Sequence, residues 1–385
     1  MDMTILQEDS TDKRMGIAAS VGDRLLCKHP LRIVHMVSSL QVGGMEQFVL
    51  RIANEQLRRG HKVAVIGLQG GPLLEQAQSL GLQAMALNGL RRIPRLIRVT
   101  RHLIRLRPDV VHVHNSSPLP YALLSKMRGR ARVIMTRHGL TERIPLASSR
   151  QLRYTDAVVA VSEAAAVALK RSRPDCADKI TVIPNGVESA KPLRSRREVR
   201  ASLGLGDELV GVIVARVDNA KGHSTLLRAL ALLQEQDIRL TMLVVGDGPE
   251  RSRVESLAQH LELGCDRVRF LGFRSDVSDL LGAADLFVLP SLTEGMPISV
   301  LEAMAQALPI VATSVGGIPE LIAEPHQGIL IPVNDPAALS NALIRLASDP
   351  LLRCNMGGAA CRRAREHFSF EEMARKYEAL YMSLS

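Results

Sequence analysis

The chain has 385 residues, of which 46% are hydrophobic and 23% charged, so it can bury a sizeable interior, and its length suits two domains better than one. Aromatic residues make up only 3%, with no tryptophan, which leaves little on which to stack bases and argues against a single-strand nucleic-acid binder. The net charge of +10 is uneven: residues 1–186 hold 28 Lys and Arg against 14 Asp and Glu, whereas residues 187–385 hold 21 against 25.

Residues 1–30 are mixed and acidic, with no apolar run long enough for a secretory signal. They are expected to form a loosely ordered extension. From Leu31 to residue 190, short apolar runs alternate with helical patterns. The runs are "LRIVHMVSSL" (31–40), "KVAVIGLQ" (62–69), "QAMALN" (83–88), "DVVHVHN" (109–115), "RVIMTRHG" (132–139), "AVVAVS" (157–162) and "ITVIPNGV" (180–187). Continuous apolar strands between helices predict a parallel sheet covered on both faces. Residues 191–200, "KPLRSRREVR", carry a proline and no apolar face, and are expected to be the linker. The pattern then restarts over 201–368, with runs at 209–216, 239–248, 268–272, 286–291, 309–314 and 328–332. The fold class is therefore α/β, with two doubly wound domains in tandem, and ligands are expected beyond the carboxyl ends of the strands.

Glu294 and Glu302 stand eight positions apart around Gly295, Met296 and Pro297. Glutamates at that spacing are common by chance. Here they flank a strand-to-helix junction, with Pro297 predicted as the first helical residue. The free N–H groups of such a helix start attract phosphate, and carboxylates accept two hydrogen bonds from vicinal diols. Cations for a diphosphate are sought in "VARVDNAKGH", where Arg216 ends a strand and Lys221 opens a helix. On their own, an Arg and a Lys in an exposed loop would be unremarkable; together they could stabilise a departing diphosphate. No D-x-D, Walker A or G-x-G-x-x-G pattern occurs, and the five cysteines form no C-x-x-C pair. Neither a metal nor another cofactor is expected, and the compartment is expected to be reducing. His112 and His114 point the same way from one strand: His112 is expected under a helix, and His114 is a candidate to line the cleft.

These motifs resemble those of the retaining glycosyltransferases of family 4, which have the GT-B fold, and in particular sugar transferases of bacterial exopolysaccharide clusters. The resemblance runs from about Leu31 to the end of the chain, through "GGMEQ" (43–47), "VIPNGV" (182–187), the Arg216/Lys221 pair, "EGMPISVLEAMA" (294–305) and "GGIPE" (316–320). It implies that Arg216 and Lys221 bind the diphosphate, Glu302 the ribose, and Glu294 the donor sugar. The backbone of Gly295, Met296 and Pro297 would contact sugar and phosphate. Gly43 and Gly44 would close over the diphosphate from the first domain, and His138 would approach the donor sugar. Ala215 replaces the family's usual glycine before the diphosphate arginine. Residues 369–385 resemble the final helix that crosses back onto the first domain.

"RRIPRLIRVTRHLIRLRP" (91–108) carries seven arginines. At about 100° per residue, Ile93, Leu96, Ile97, Leu103 and Ile104 share an arc that is expected to pack inward while the arginines face anionic headgroups. The predicted function is transfer of a sugar, with retention, from a nucleotide-diphosphate donor to a hydroxyl of a lipid-linked or saccharide acceptor. The protein is expected in the cytoplasm, peripheral at the inner face of the membrane, with no nucleic-acid partner. A nucleotide-sugar 2-epimerase is one alternative. A basic membrane or nucleic-acid binding protein with a vestigial donor site is another.

Overall fold

The computed structural model describes residues 29–89, 92–127, 131–140, 150–188 and 192–384. Most of the expected N-terminal extension, Arg91 and Lys191 lie outside them. Seven parallel strands make the first sheet: β1 (Arg32–Val37), β2 (Lys62–Gly67), β3 (Gln83–Ala86), β4 (Val110–Val113), β5 (Arg132–Arg137), β6 (Ala157–Ala160) and β7 (Ile180–Val182), in the order β3-β2-β1-β4-β5-β6-β7. Six more make the second: β8 (Val210–Val214), β9 (Thr241–Val245), β10 (Val268–Gly272), β11 (Leu286–Leu289), β12 (Ile310–Thr313) and β13 (Ile329–Ile331), in the order β10-β9-β8-β11-β12-β13. In each sheet the winding reverses beside the first strand, between β1 and β4 and between β8 and β11. A crevice opens at such a switch point.

The period of two in the strands explains the layers. Ile33, Val65, Val110, Ile134 and Val159 face one side of the first sheet, and Val34, Ile66, Val111, Val133, Met135 and Val158 face the other. The first side is covered by helix Gly44–Arg58 and by the last helix, Phe370–Leu384, which returns from the second domain. Phe370, Met373, Tyr377 and Tyr381 fall on one helical stripe and are buried there. Each aromatic contributes about 1.5–3 kcal/mol by burial, enough together to hold the crossing helix down. The chain enters this helix beside "PNGV": the Val187 N–H donates to the Phe368 carbonyl at 2.8 Å, and the Phe370 N–H to the Val187 carbonyl at 3.1 Å.

Residues 192–202 lie against the second domain. Arg194 Nε donates to Asp279 at 2.9 Å, and Ser195 and Glu198 form a capping box at the start of helix Arg196–Ser202. The charges that leave this stretch without an apolar face thus serve as ion-pair partners and caps.

Candidate active site

The second sheet's switch point assembles the site. Gly222 follows Lys221 in the left-handed region at φ 70°, and a Cβ there would stand 1.9 Å from the Pro290 carbonyl oxygen. Only glycine lets this turn pack against the end of β11. The packing brings Lys221 Nζ to 2.7 Å from Glu294 Oε1, and Ser291 Oγ donates to the same oxygen at 2.7 Å. Glu294 is buried. With both donors on Oε1, Oε2 has no hydrogen-bond partner among the described residues.

Arg216 is placed differently. Its guanidinium is 68% exposed, and Nε lies 3.9 Å from Asp218, too far for a hydrogen bond. Its loop is held from beneath by the turn "VGDGPE", where the Val217 N–H donates to the Asp247 carbonyl and the Glu250 N–H to that of Val217. The structure brings Lys221 and Glu294 together, and leaves Arg216 largely exposed beyond the end of β8, with only a loose ion pair to Asp218.

Pro297 is the cap residue before helix Ile298–Ala305, one position earlier than expected from sequence, because its ψ of 121° is still extended. Glu302 lies in that helix and pairs with Arg51 of the first domain at 3.0 Å. Arg51 was not legible as a site residue; it sits two turns beyond Gly44 on helix Gly44–Arg58, and only the folded chain carries it across the cleft. Gly43 is the extended residue before that helix. A Cβ on Gly44 would meet nothing within 4 Å, so packing does not demand a glycine there.

The two domains meet closely around Gly295. A Cβ on it would be 2.1 Å from the His138 carbonyl oxygen, so a glycine is needed where the two loops touch. Asn185, in "VIPNGV", donates from Nδ2 to the Met296 carbonyl at 2.8 Å. Glu320, in "GGIPE", accepts from the N–H groups of Glu163 and Ala164 at 2.9 Å each, capping helix Glu163–Ser172 of the other domain. Both motifs therefore serve the interface, and for Glu320 the structure favours a structural role over a ligand contact.

His138 stands above a buried polar cluster. His114 Nδ1 is 3.2 Å from His138 Nε2, and His114 itself is fully buried rather than lining the cleft. His112 packs under the last helix, 2.6 Å from the Tyr381 hydroxyl, as its expected position beneath a helix implied. Burial, with Arg137 nearby, pushes the His138 imidazole down to about 3, and burial pushes His35 down to about 4. Both rings are neutral near pH 7. His35, His112 and His114 bring ring nitrogens within 4.8 Å of one another. Both nitrogens of each ring already have partners, so this cluster is a hydrogen-bond network rather than a metal centre.

A surface pocket of about 770 Å³, lined by Lys126, Arg153, Tyr154 and Lys179, lies at the amino end of β6, away from these groups. Its lysines are committed, Lys126 to Asp156 and Lys179 to the carbonyls of Arg153 and Thr155.

Two doubly wound domains in contact around Gly295, one bearing the Lys221–Glu294 pair, have the architecture of a GT-B glycosyltransferase. Residues 42–191 match the family described as "Glycosyltransferase Family 4", and residues 195–363 that described as "Glycosyl transferases group 1". The chain is 30% identical over 286 residues to the N-acetyl-alpha-D-glucosaminyl L-malate synthase of Bacillus anthracis, covering 71% of this chain and 74% of that one. It is 27% identical over 380 residues to the UDP-Gal:alpha-D-GlcNAc-diphosphoundecaprenol alpha-1,3-galactosyltransferase of Escherichia coli, covering 92% and 96%. The crystal structure of Anabaena Alr3699/HepE in complex with UDP and glucose shares the fold, with a TM-score of 0.82 at 23% identity, covering 92% of this chain and 100% of that one. The chain belongs to glycosyltransferase family 4.

Proposed function

We propose that this glycosyltransferase takes a sugar from a nucleotide-diphosphate donor and places it, with retention, on a hydroxyl of a lipid-linked or saccharide acceptor. The observation that carries this reading is the Lys221–Glu294 pair at the β8/β11 switch point, with Arg216 five residues before Lys221 in the same loop and the His138 carbonyl against Gly295. Arg216 and Lys221 offset the charge that grows on the departing diphosphate, as preorganised cations do in a water-poor cleft. Glu294 holds a donor-sugar hydroxyl through Oε2, and Glu302 exchanges Arg51 for the ribose. The backbone of Gly295, Met296 and Pro297 lines the sugar and phosphate. The open space around Gly44 leaves room for the diphosphate beside Gly43. The acceptor hydroxyl attacks from the face the diphosphate leaves, and the leaving phosphate oxygen takes its proton. Family membership favours transfer over epimerisation.

Titration calorimetry with UDP, GDP and ADP, each with and without EDTA, tests the donor site. Binding of one base unaffected by chelation supports it; binding of none overturns it.

A peripheral seat on the inner membrane face is supported by helix Arg92–Leu106. There the expected inward packing fails. Val99 and Leu103 are buried, but Ile93, Leu96, Ile97 and Ile104 are 71%, 39%, 47% and 44% exposed. Arg98, Arg101 and Arg105 flank that apolar stripe at helical spacing. The arc is wider than the sheet can cover, and its outer part suits the headgroup boundary of an anionic bilayer. No helix among the described residues is long and apolar enough to cross a membrane.

A further inference from the structure

Beneath His138 the buried rings form one unbroken line. His138 Nε2 lies 3.2 Å from His114 Nδ1, His114 Nε2 lies 2.9 Å from His35 Nδ1, and His35 Nε2 lies 2.7 Å from Gln56 Oε1. Gln56 Nε2 in turn points at the Tyr381 hydroxyl, 3.5 Å away, which is 2.6 Å from His112 Nδ1, and His112 Nε2 is 2.7 Å from Thr136 Oγ1. His35, His112, His114, Thr136 and Tyr381 are fully sealed from solvent, and Gln56 is 1% exposed.

A neutral imidazole has one donor and one acceptor, so in such a line each ring dictates the next. An amide oxygen can only accept, and His35 must donate to it from Nε2. His35 Nδ1 then accepts from His114 Nε2–H, and His114 Nδ1 accepts from His138 Nε2–H. The line ends with a lone pair on His138 Nδ1, which has no hydrogen-bond partner among the described residues. On the other branch the Gln56 amide donates to Tyr381, Tyr381 donates to His112 Nδ1, and His112 donates to Thr136. Thr136 then has its own hydroxyl proton for Tyr377, whose hydroxyl lies 3.2 Å from Thr136 Oγ1. All the rings are held neutral by burial, His112 and His114 well below the ordinary histidine range, so the order is not broken by a charged ring.

We infer that Gln56 and Tyr381 are positioning residues that fix the proton of His138 on Nε2, through His35 and His114, and so present a hydrogen-bond acceptor to the cleft. Tyr381 belongs to the crossing helix, so the returning segment sets the chemistry of the site as well as closing the fold. A neutral acceptor there takes a sugar hydroxyl and disfavours a phosphate oxygen. This deepens the proposed donor site and rests on it for the identity of the ligand, whereas the proton order rests on the Gln56 amide turning its oxygen toward His35.

The test is long-range proton–nitrogen correlation NMR on the full chain labelled with nitrogen-15 histidine, with kinetics on the same samples. The wild-type protein is expected to show the Nε2–H tautomer at His35, His114 and His138; an Nδ1–H at His138 overturns the inference without any variant. Gln56→Met and Gln56→Leu remove the amide anchor, and His138 should then populate both tautomers. With about half the molecules in the wrong form, kcat/KM for the donor should fall about twofold or more. An unchanged tautomer in either folded variant overturns the relay. A scrambled tautomer with unchanged kcat/KM upholds the relay and sinks the placing of His138 at the donor sugar.

Discussion

Arg51 and Glu302, 251 residues apart in the chain, meet across the cleft with Nη2 3.0 Å from Oε1. The arginine belongs to the first domain and the glutamate to the second, so the pair ties the domains together with the carboxylate proposed for the ribose. Arg51→Ala should tighten nucleotide-diphosphate binding, by no more than about fivefold, because a partly exposed pair contributes only about 1 kcal/mol. Calorimetry with the preferred nucleotide measures it. Weaker binding would instead make Arg51 a ligand contact.

Lys221→Ala should reduce turnover about 10²- to 10³-fold, the usual cost of losing one charge-stabilising donor. It also strands the Glu294 carboxylate, so stability should fall by about 2 kcal/mol, discounted because Lys221 is 26% exposed. Adding Glu294→Gln should restore the melting temperature but not the activity. Full activity in Lys221→Ala would show that the diphosphate site is wrong.

Glu320→Ala removes the carboxylate that caps helix Glu163–Ser172 from the other domain. The loss should cost about 1–2 kcal/mol and loosen the closed cleft. Solution scattering should show a larger radius of gyration, and kcat should drop with the closure equilibrium. No change in either would mean that the remaining contacts around Gly295 and Asn185 hold the domains without it.

Ile97→Glu should abolish flotation with vesicles containing phosphatidylglycerol while leaving nucleotide binding intact. The wild-type protein should bind those vesicles but not pure phosphatidylcholine, at about 1 kcal/mol per nearby arginine, and release them in high salt. Equal binding to both vesicle types would remove the arginines from the account.

Stability should fall as pH drops below about 6.5. His35 is neutral when folded down to about 4, whereas the unfolded ring, at its ordinary 6.5, takes up a proton earlier. The unfolded state then binds more protons, so each buried ring costs about 1.4 kcal/mol per pH unit through that window. Urea midpoints at about pH 7.5 and about pH 5.5 provide the measurement. A flat midpoint would show that the rings gain protons in the folded state.

The two sheets are legible in the amino-acid order, because a strand buried on both faces must be apolar throughout, and runs such as "KVAVIG" and "LFVL" allow little else. That order also marked the glycines and the Arg216/Lys221 and Glu294/Glu302 positions, because motif spacing at a strand end survives without coordinates. The partners come from the folded arrangement alone. Arg51 reaches Glu302 and Glu320 reaches Glu163 because two domains close on each other, and neither pairing has a local signal. Helix Arg92–Leu106 makes the same point: its apolar arc is plain in the sequence, but how far the sheet covers it depends on where the helix is docked. The line from Tyr381 through Gln56 to His138 joins residues from five separate stretches of the chain, two helices, β1 and the ends of β4 and β5. Each would pass for a buried polar residue, and only their alignment inside the fold gives the proton a direction.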